Sequence, residues 1–134
     1  MSFRPDTLRS GLAGTGRPGT IDHRLARRSL INEYRKGPLA RHQVCDAHPE
    51  LLRAAREVGQ PTTTTCPICE DKTLVHVTYV FGPRLPPFGR CITASKEIAQ
   101  LSRRRDQLMA YVVEVCTDCS WHHLLRTVPI GGRA

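Results

Sequence analysis

Two pairs of cysteines, each with two residues between its members, carry the clearest chemical signal in this 134-residue sequence. They are Cys66 and Cys69 in Cys-Pro-Ile-Cys, and Cys116 and Cys119 in Cys-Thr-Asp-Cys. A two-residue interval lets the chain turn tightly enough for both sulfurs to reach one ion, and two such pairs complete a tetrahedral shell of four thiolates. The sequence therefore predicts one structural Zn²⁺ held by these four cysteines.

Other uses of these cysteines stay open at this point. The same four thiolates could hold an iron–sulfur cluster. A thioredoxin-like redox pair is less consistent with the pattern, because such a pair opens a helix within a βαβ unit. Cys45, His48 and Cys91 could build a second site, although an unligated cysteine is commonly a small buried hydrophobe.

Catalysis is not expected from this set of residues. Four cysteines fill the shell of the metal and leave no position for an activated water. The sequence contains no phosphate-cradling glycine loop and no recognisable nucleophile with its base. We therefore predict that the protein is not an enzyme and has no small-molecule substrate.

The elements around the cysteine pairs are typical of β-strands. Alternating β-branched and aromatic residues predict a strand over 74–81 after the first pair, and strands over 111–115 and 121–128 flank the second pair. Apolar spacing from Thr93 to Met109 predicts a helix between them. These features predict a zinc ribbon over residues 66–130, with about three antiparallel strands and an inserted helix at 93–109.

The sequence before the ribbon predicts helices, which makes the fold class α+β. Residues 20–59 contain three short helical patterns, separated at Gly37-Pro38 and before Pro49, and together they resemble a helix-turn-helix. The remaining segments are predicted to be irregular: a disordered basic arm at 1–19, a linker at 60–65 and a tail at 131–134.

The charge of the sequence favours an acidic partner. Its formal net charge is +8, mostly from arginine, whose planar donors suit phosphate and carboxylate groups. The arginines that we expect to contact nucleic acid or a partner are Arg27, Arg28, Arg103, Arg104 and Arg105. A proline-stiffened loop over 82–89 also carries Leu85 and Phe88, which are suitable apolar anchors for a protein interface.

Neither a membrane segment nor a secretory signal is expected. No run of about 18 apolar residues occurs, and the N-terminus has arginines without an apolar core. We therefore expect a cytoplasmic protein whose cysteines are reduced or bound to metal.

Four segments of the sequence resemble a small actinobacterial family of unknown function. They begin at Val44 (Val-Cys-Asp-Ala-His-Pro-Glu-Leu-Leu-Arg-Ala-Ala), Cys66 (Cys-Pro-Ile-Cys), Leu74 (Leu-Val-His-Val-Thr-Tyr-Val-Phe-Gly) and Tyr111 (Tyr-Val-Val-Glu-Val-Cys-Thr-Asp-Cys-Ser-Trp). The resemblance extends over roughly residues 20–130 and implies the cytoplasm of a high-GC bacterium, but it implies no activity. The cysteine pairs alone are also similar to the ribbons of transcription and ribosomal proteins.

Taken together, the residues predict a non-enzymatic zinc-ribbon protein that acts in transcription or translation. Its expected partner is nucleic acid, or a large nucleic-acid machine such as RNA polymerase or the ribosome. Sequence-specific DNA reading is less favoured, because the third helix offers only Arg53 and Arg56 beside two glutamates. A redox or metal sensor that uses the cysteine pairs, and a purely structural protein-interaction adaptor, are the alternatives.

Overall fold

The computed structural model describes residues 19–132, which form an α+β fold. The arm predicted for residues 1–19 lies outside this range except for Gly19, as do residues 133–134 of the predicted tail. The described helices are α1 (Arg24–Lys36), α2 (Arg41–Val44), α3 (Pro49–Val58) and α4 (Ser95–Ser102). The described strands are β1 (Ile21–Asp22), β2 (Gln60–Thr65), β3 (Thr73–Phe81), β4 (Arg90–Cys91), β5 (Gln107–Val115) and β6 (His122–Gly131).

All six strands belong to one antiparallel sheet. Its order is β1-β6-β5-β3-β2, and β4 pairs with β3 beside this path. The three strands predicted from alternating residues are confirmed as β3, β5 and β6, in a sheet that is larger than the predicted ribbon. Because side chains alternate across a sheet, Val80, Ala110 and Val128 face one core together with Ile98 and Leu101 of α4.

The predicted linker at 60–65 is wrong, because these residues form β2 at the edge of the sheet. Gln60 lies opposite His76 and Thr65 lies opposite Thr73 of β3. Threonine is β-branched and suits a pleated surface, and Pro61 is tolerated at an edge where its missing N–H is not needed.

The helix predicted at 93–109 is shorter than expected. It ends at Ser102, and residues 107–109 belong to β5 instead. The turn between them is held by an ion pair of 2.6 Å between Arg104 and Asp106. Gly131, expected in the tail, ends β6.

The three helices predicted within 20–59 are confirmed as α1, α2 and α3, although α2 is a single turn of four residues. Gly37 follows the last residue of α1, and its left-handed φ of 105° suits glycine. α3 begins after His48, whose ring Nδ1 accepts the backbone N–H of Glu50 at 3.1 Å. α1 packs along β6, whereas α3 packs on β3 through Ala55. No helix in the described part of the chain has both the length and the apolar character needed to cross a membrane.

Candidate metal centre

The two cysteine pairs lie in hairpin turns at the same end of the sheet. Cys66 and Cys69 lie between β2 and β3, and Cys116 and Cys119 lie between β5 and β6. Strands β3 and β5 are adjacent and antiparallel, with Val115 opposite the third residue of β3. The register of two strands therefore brings together cysteines that are far apart in sequence.

The four sulfurs have the separations of a tetrahedral site. The Sγ atoms of Cys66 and Cys119 are 3.7 Å apart, and those of Cys69 and Cys116 are 3.8 Å apart. All four sulfurs lie within 4.8 Å of one another. A tetrahedron with metal–sulfur bonds of about 2.3 Å has edges of about 3.8 Å, so the four cysteines fit one bound metal ion.

Both turns have the same local conformation. In each, the backbone N–H four residues after the first cysteine donates to the carbonyl of that cysteine, from Glu70 and from Ser120 at 3.1 Å. These two residues have left-handed φ values of 57° and 75°. Backbone N–H groups also point at sulfur, from Ile68 to Cys66 at 3.4 Å and from Cys119 to Cys116 at 3.5 Å. Such donors stabilise thiolates.

The electrostatics of the cluster favour a cation between the sulfurs. Burial raises the pKa of Cys66 far above its ordinary value and raises the pKa of Cys119 to about 12. Burial also opposes ionisation of Cys69, but hydrogen bonds from the backbone N–H groups of Lys72 and Asp71 outweigh it and lower that pKa to about 7. Four adjacent thiolates repel one another, and a divalent cation supplies the charge that lets them all ionise.

A fifth cysteine lies against this cluster, which the sequence did not indicate. The Sγ of Cys45 is 3.5 Å from the Sγ of Cys119. His48, considered with it for a second site, caps α3 instead, and Cys91 packs near Tyr79 in another cluster. Within residues 19–132, these three residues do not assemble a second metal site.

An ion pair and an indole support the wall of the site. Trp121 is fully buried beside Cys66 and Cys116, and its Nε1 donates to Glu114 at 2.8 Å. Glu114 is also buried and accepts the Nε–H of Arg27 at 2.5 Å. Arg27 therefore stabilises the structure. Its ion pair with Glu114 leaves its guanidinium less available for the predicted contact with a partner.

Comparisons with known proteins place the chain in a family. A model of DUF5318, described as a family of unknown function, matches residues 15–134. The chain belongs to the DUF5318 family. Uncharacterized proteins Rv0049 of Mycobacterium tuberculosis and Mb0050 of Mycobacterium bovis are each 40% identical to it over 111 residues, covering 83% of this chain and 81% of each relative. No solved structure matches the chain. The resemblance to an actinobacterial family of unknown function is thus confirmed.

The other four arginines predicted to contact nucleic acid or a partner differ in their surroundings in this DUF5318 chain. Arg104 is held by Asp106 and donates to the carbonyl oxygen of Pro83 at 2.7 Å. Arg28, Arg103 and Arg105 are exposed, and no ion pair within residues 19–132 engages them. Three of the five selected arginines are therefore free to meet a partner.

The two predicted apolar anchors of the DUF5318 chain differ in their exposure to solvent. Leu85 is half-buried and packs against the core around Val80, and its role at an interface stays a prediction. Phe88 is 78% exposed, as an interface anchor requires.

Phe88 lines a concave surface of the described chain, which we call the α3 groove. The groove measures about 1130 Å³ and lies between α3 and the face of the sheet that carries Tyr79, Tyr111 and Leu124. Its lining is mainly apolar. The charged residues along it are three acids and one base, namely Asp46, Glu50, Glu57 and Arg53.

Proposed function

We propose that this DUF5318 protein is a non-enzymatic, zinc-stabilised docking module that binds a partner protein in the α3 groove. The occupant we propose is a peptide segment with apolar side chains flanked by lysine or arginine. The observation that carries this proposal is the groove itself, an apolar surface with an acidic edge on a chain of net charge +8.

The shape and lining of the groove support a protein segment as the occupant. Specific interfaces are built on aromatic and aliphatic contacts in a pocket, with charged residues at the rim. Tyr79, Phe81 and Tyr111 form an aromatic floor, in which the rings of Phe81 and Tyr111 meet edge to face at 5.1 Å. Phe88 adds an exposed aromatic side chain at the edge. Apolar side chains of a partner would bury these rings.

The charge of the groove supports basic residues in that segment. Asp46, Glu50 and Glu57 outnumber Arg53, and Arg53 already pairs with Glu50 at 2.7 Å. The edge therefore carries more carboxylate than guanidinium, opposite in sign to the chain as a whole. Such complementarity raises association rates and excludes acidic competitors.

We propose zinc as the metal and a structural role for it. Four thiolates in a tetrahedron suit Zn²⁺ and leave no open position for a substrate. The second cysteine turn and the start of β6 also support one end of the groove. The backbone N–H of Ala47 donates to the carbonyl of Ser120 at 3.0 Å, and His122 contacts Asp46 at 3.1 Å. The metal would hold the segment before α3 in place against the sheet.

The setting we propose is the bacterial cytoplasm, with a partner in the transcription or translation machinery. The net positive charge suits assemblies rich in phosphate and carboxylate. Direct contact with nucleic acid is a second candidate function, supported by the exposed side chains of Arg28, Arg103 and Arg105. Such contact would bring the docked protein to RNA polymerase or the ribosome without sequence reading.

A random peptide library displayed on phage tests the docking function, with the metal-loaded chain as bait. We expect enrichment of apolar residues with lysine or arginine, depletion of acidic residues, and at least about tenfold weaker binding to the Phe88→Ser variant. Leu25→Ser is the matched control, because Leu25 is 75% exposed and lies outside the groove. Peptides rich in acids, or peptides that bind both variants equally, would contradict the proposal.

A further inference from the structure

Two backbone hydrogen bonds, one at Cys45 and one at Ala47, hold Cys45 against the cysteine cluster. Its own backbone N–H donates to the carbonyl of Arg41 at 2.8 Å, which closes the turn of α2. Two residues later, the bond from Ala47 to Ser120 ties the same segment to the second metal turn. These hydrogen bonds hold the backbone of this segment where the sulfurs of Cys45 and Cys119 lie 3.5 Å apart.

This fifth sulfur is surplus to the metal shell. The other four sulfurs already have the separations of a closed tetrahedron, so a bound ion leaves Cys45 as an uncoordinated thiol against one ligand. Forming a disulfide requires a sulfur separation of about 2.05 Å, so the two sulfurs must approach by about 1.5 Å. A thiol so placed can react with an oxidised Cys119.

We propose that Cys45 and Cys119 are a redox modification site, in which hydrogen peroxide converts them to a reversible disulfide and the metal is released. This inference rests on the metal centre of the proposed function and is independent of what the α3 groove binds. The pair would couple the oxidation state of the cell to the structure that supports the groove.

The reaction proceeds in two steps that balance. The sulfur of Cys119 attacks one oxygen of hydrogen peroxide, the O–O bond breaks, and the sulfur becomes a sulfenic acid while hydroxide leaves and takes up a proton as water. The Cys45 sulfur then attacks that sulfur, the S–S bond forms, and the S–O bond breaks with loss of a second water. In total, two thiols and one peroxide give one disulfide and two waters.

Accessibility selects Cys119 among the four ligands. Cys66 and Cys116 are buried, at 1% and 0% exposure, whereas Cys119 and Cys69 are partly exposed. Of these two, Cys119 is the one with Cys45 in sulfur contact. Once Cys119 is in a disulfide, three thiolates remain, and the ion loses one of its four bonds.

The test treats the full-length, zinc-loaded chain with hydrogen peroxide and follows three readouts. These are zinc release to a chromophoric chelator, the disulfide map by mass spectrometry, and zinc rebinding after reduction with dithiothreitol. We expect one Cys45–Cys119 disulfide, released zinc and recovery of most zinc binding. Cys91→Ser is the matched control, because Cys91 is a partly exposed cysteine outside the cluster, and it should behave as wild type.

The decisive variant is Cys45→Ser, which keeps all four metal ligands. It should still bind one zinc before treatment, but its Cys119 should oxidise further to sulfinic acid and fail to recover zinc after reduction. Recovery equal to wild type, or a disulfide between other cysteines, would overturn the proposal. A chain that carries no metal before treatment would instead refute the metal centre, and the peptide selection tests the groove separately.

Discussion

At the scale of single residues, Glu114 joins the sheet, α1 and the wall of the metal site. Its carboxylate is buried and has two donors, from Arg27 and from the Trp121 indole. A buried carboxylate is stable only while its partners remain, because desolvation of the charge is costly. The charge of Arg27 is therefore committed to the interior of the protein.

Replacing the Glu114 carboxylate measures its contribution to the free energy of unfolding. Glu114→Ala leaves Arg27 without its partner and the Trp121 indole without an acceptor, so we expect a loss of about 3 kcal/mol in the free energy of unfolding. Urea unfolding of the metal-loaded protein measures this loss. Glu33→Ala, an exposed glutamate on α1, is the control and should change stability by less than about 0.5 kcal/mol. Equal midpoints for the two variants would show that the buried contacts are unimportant.

His76 makes stability depend on pH. Burial, with Arg126 and Arg27 nearby, lowers its pKa from 6.5 to about 4. The folded state therefore binds fewer protons than the unfolded state between these values, so its contribution is complete above pH 6.5 and is lost as pH falls toward 4. In urea unfolding across this range, His76→Gln should lose less stability on acidification than wild type. His42→Gln, which changes an exposed histidine, should follow the wild type, and three parallel curves would argue against this role.

At the scale of elements, β2 shows how a short polar strand is positioned. The hydroxyl of Thr62 donates to the carbonyl of Leu74 at 2.7 Å, in addition to the backbone pairing with β3. Thr62→Ala should cost about 1 kcal/mol in the free energy of unfolding, whereas Thr63→Ala, at an exposed position, should cost little. Thermal unfolding compares the melting temperatures of the two variants. Equal melting temperatures would indicate that the Thr62 hydroxyl does not help to hold β2 on the sheet.

Local patterns predicted part of this architecture. The cysteine pairs and the strands β3, β5 and β6 have spacings or alternations within a few residues, so they could be identified from the sequence. Local patterns do not predict β2, because Thr-Thr-Thr-Thr contains no apolar alternation, and β1 and β4 are too short to show any pattern. The helix predicted over 93–109 extends past the end of α4, because Leu108 fits the helical apolar pattern and suits a strand equally well.

Contacts between distant residues could not be predicted in this way. Cys45 and Cys119 are separated by 74 positions, and Arg27 and Glu114 by 87. Their meeting depends on where α1 and α2 pack against the sheet, which no local spacing encodes. The same holds for the α3 groove, whose lining comes from α1, α2, α3, the three long strands, and the segment around β4.

At the scale of the whole molecule, the net charge of the chain and the charge along the α3 groove have opposite signs. The chain as a whole is basic, whereas the α3 groove has an acidic edge. A partner attracted by overall charge would respond to any change in net charge. A partner seated in the groove would respond chiefly to the charges along it.

Two charge reversals distinguish these cases. Glu57→Lys and Glu33→Lys change the net charge equally, and both glutamates are exposed on helices, but only Glu57 lines the groove. For a selected basic peptide, isothermal titration calorimetry should show about tenfold weaker binding to Glu57→Lys and near-normal binding to Glu33→Lys. An equal loss in both variants would indicate nonspecific attraction.

We propose that Cys66, Cys69, Cys116 and Cys119 hold one zinc ion that fixes the end of the sheet. Native mass spectrometry of the full-length protein, before and after alkylation of accessible thiols, tests it most directly. We predict one zinc per chain, with these four cysteines protected while the metal is bound and alkylated once a chelator removes it. A folded chain without metal, in which all four thiols react at once, would show that these cysteines hold no ion.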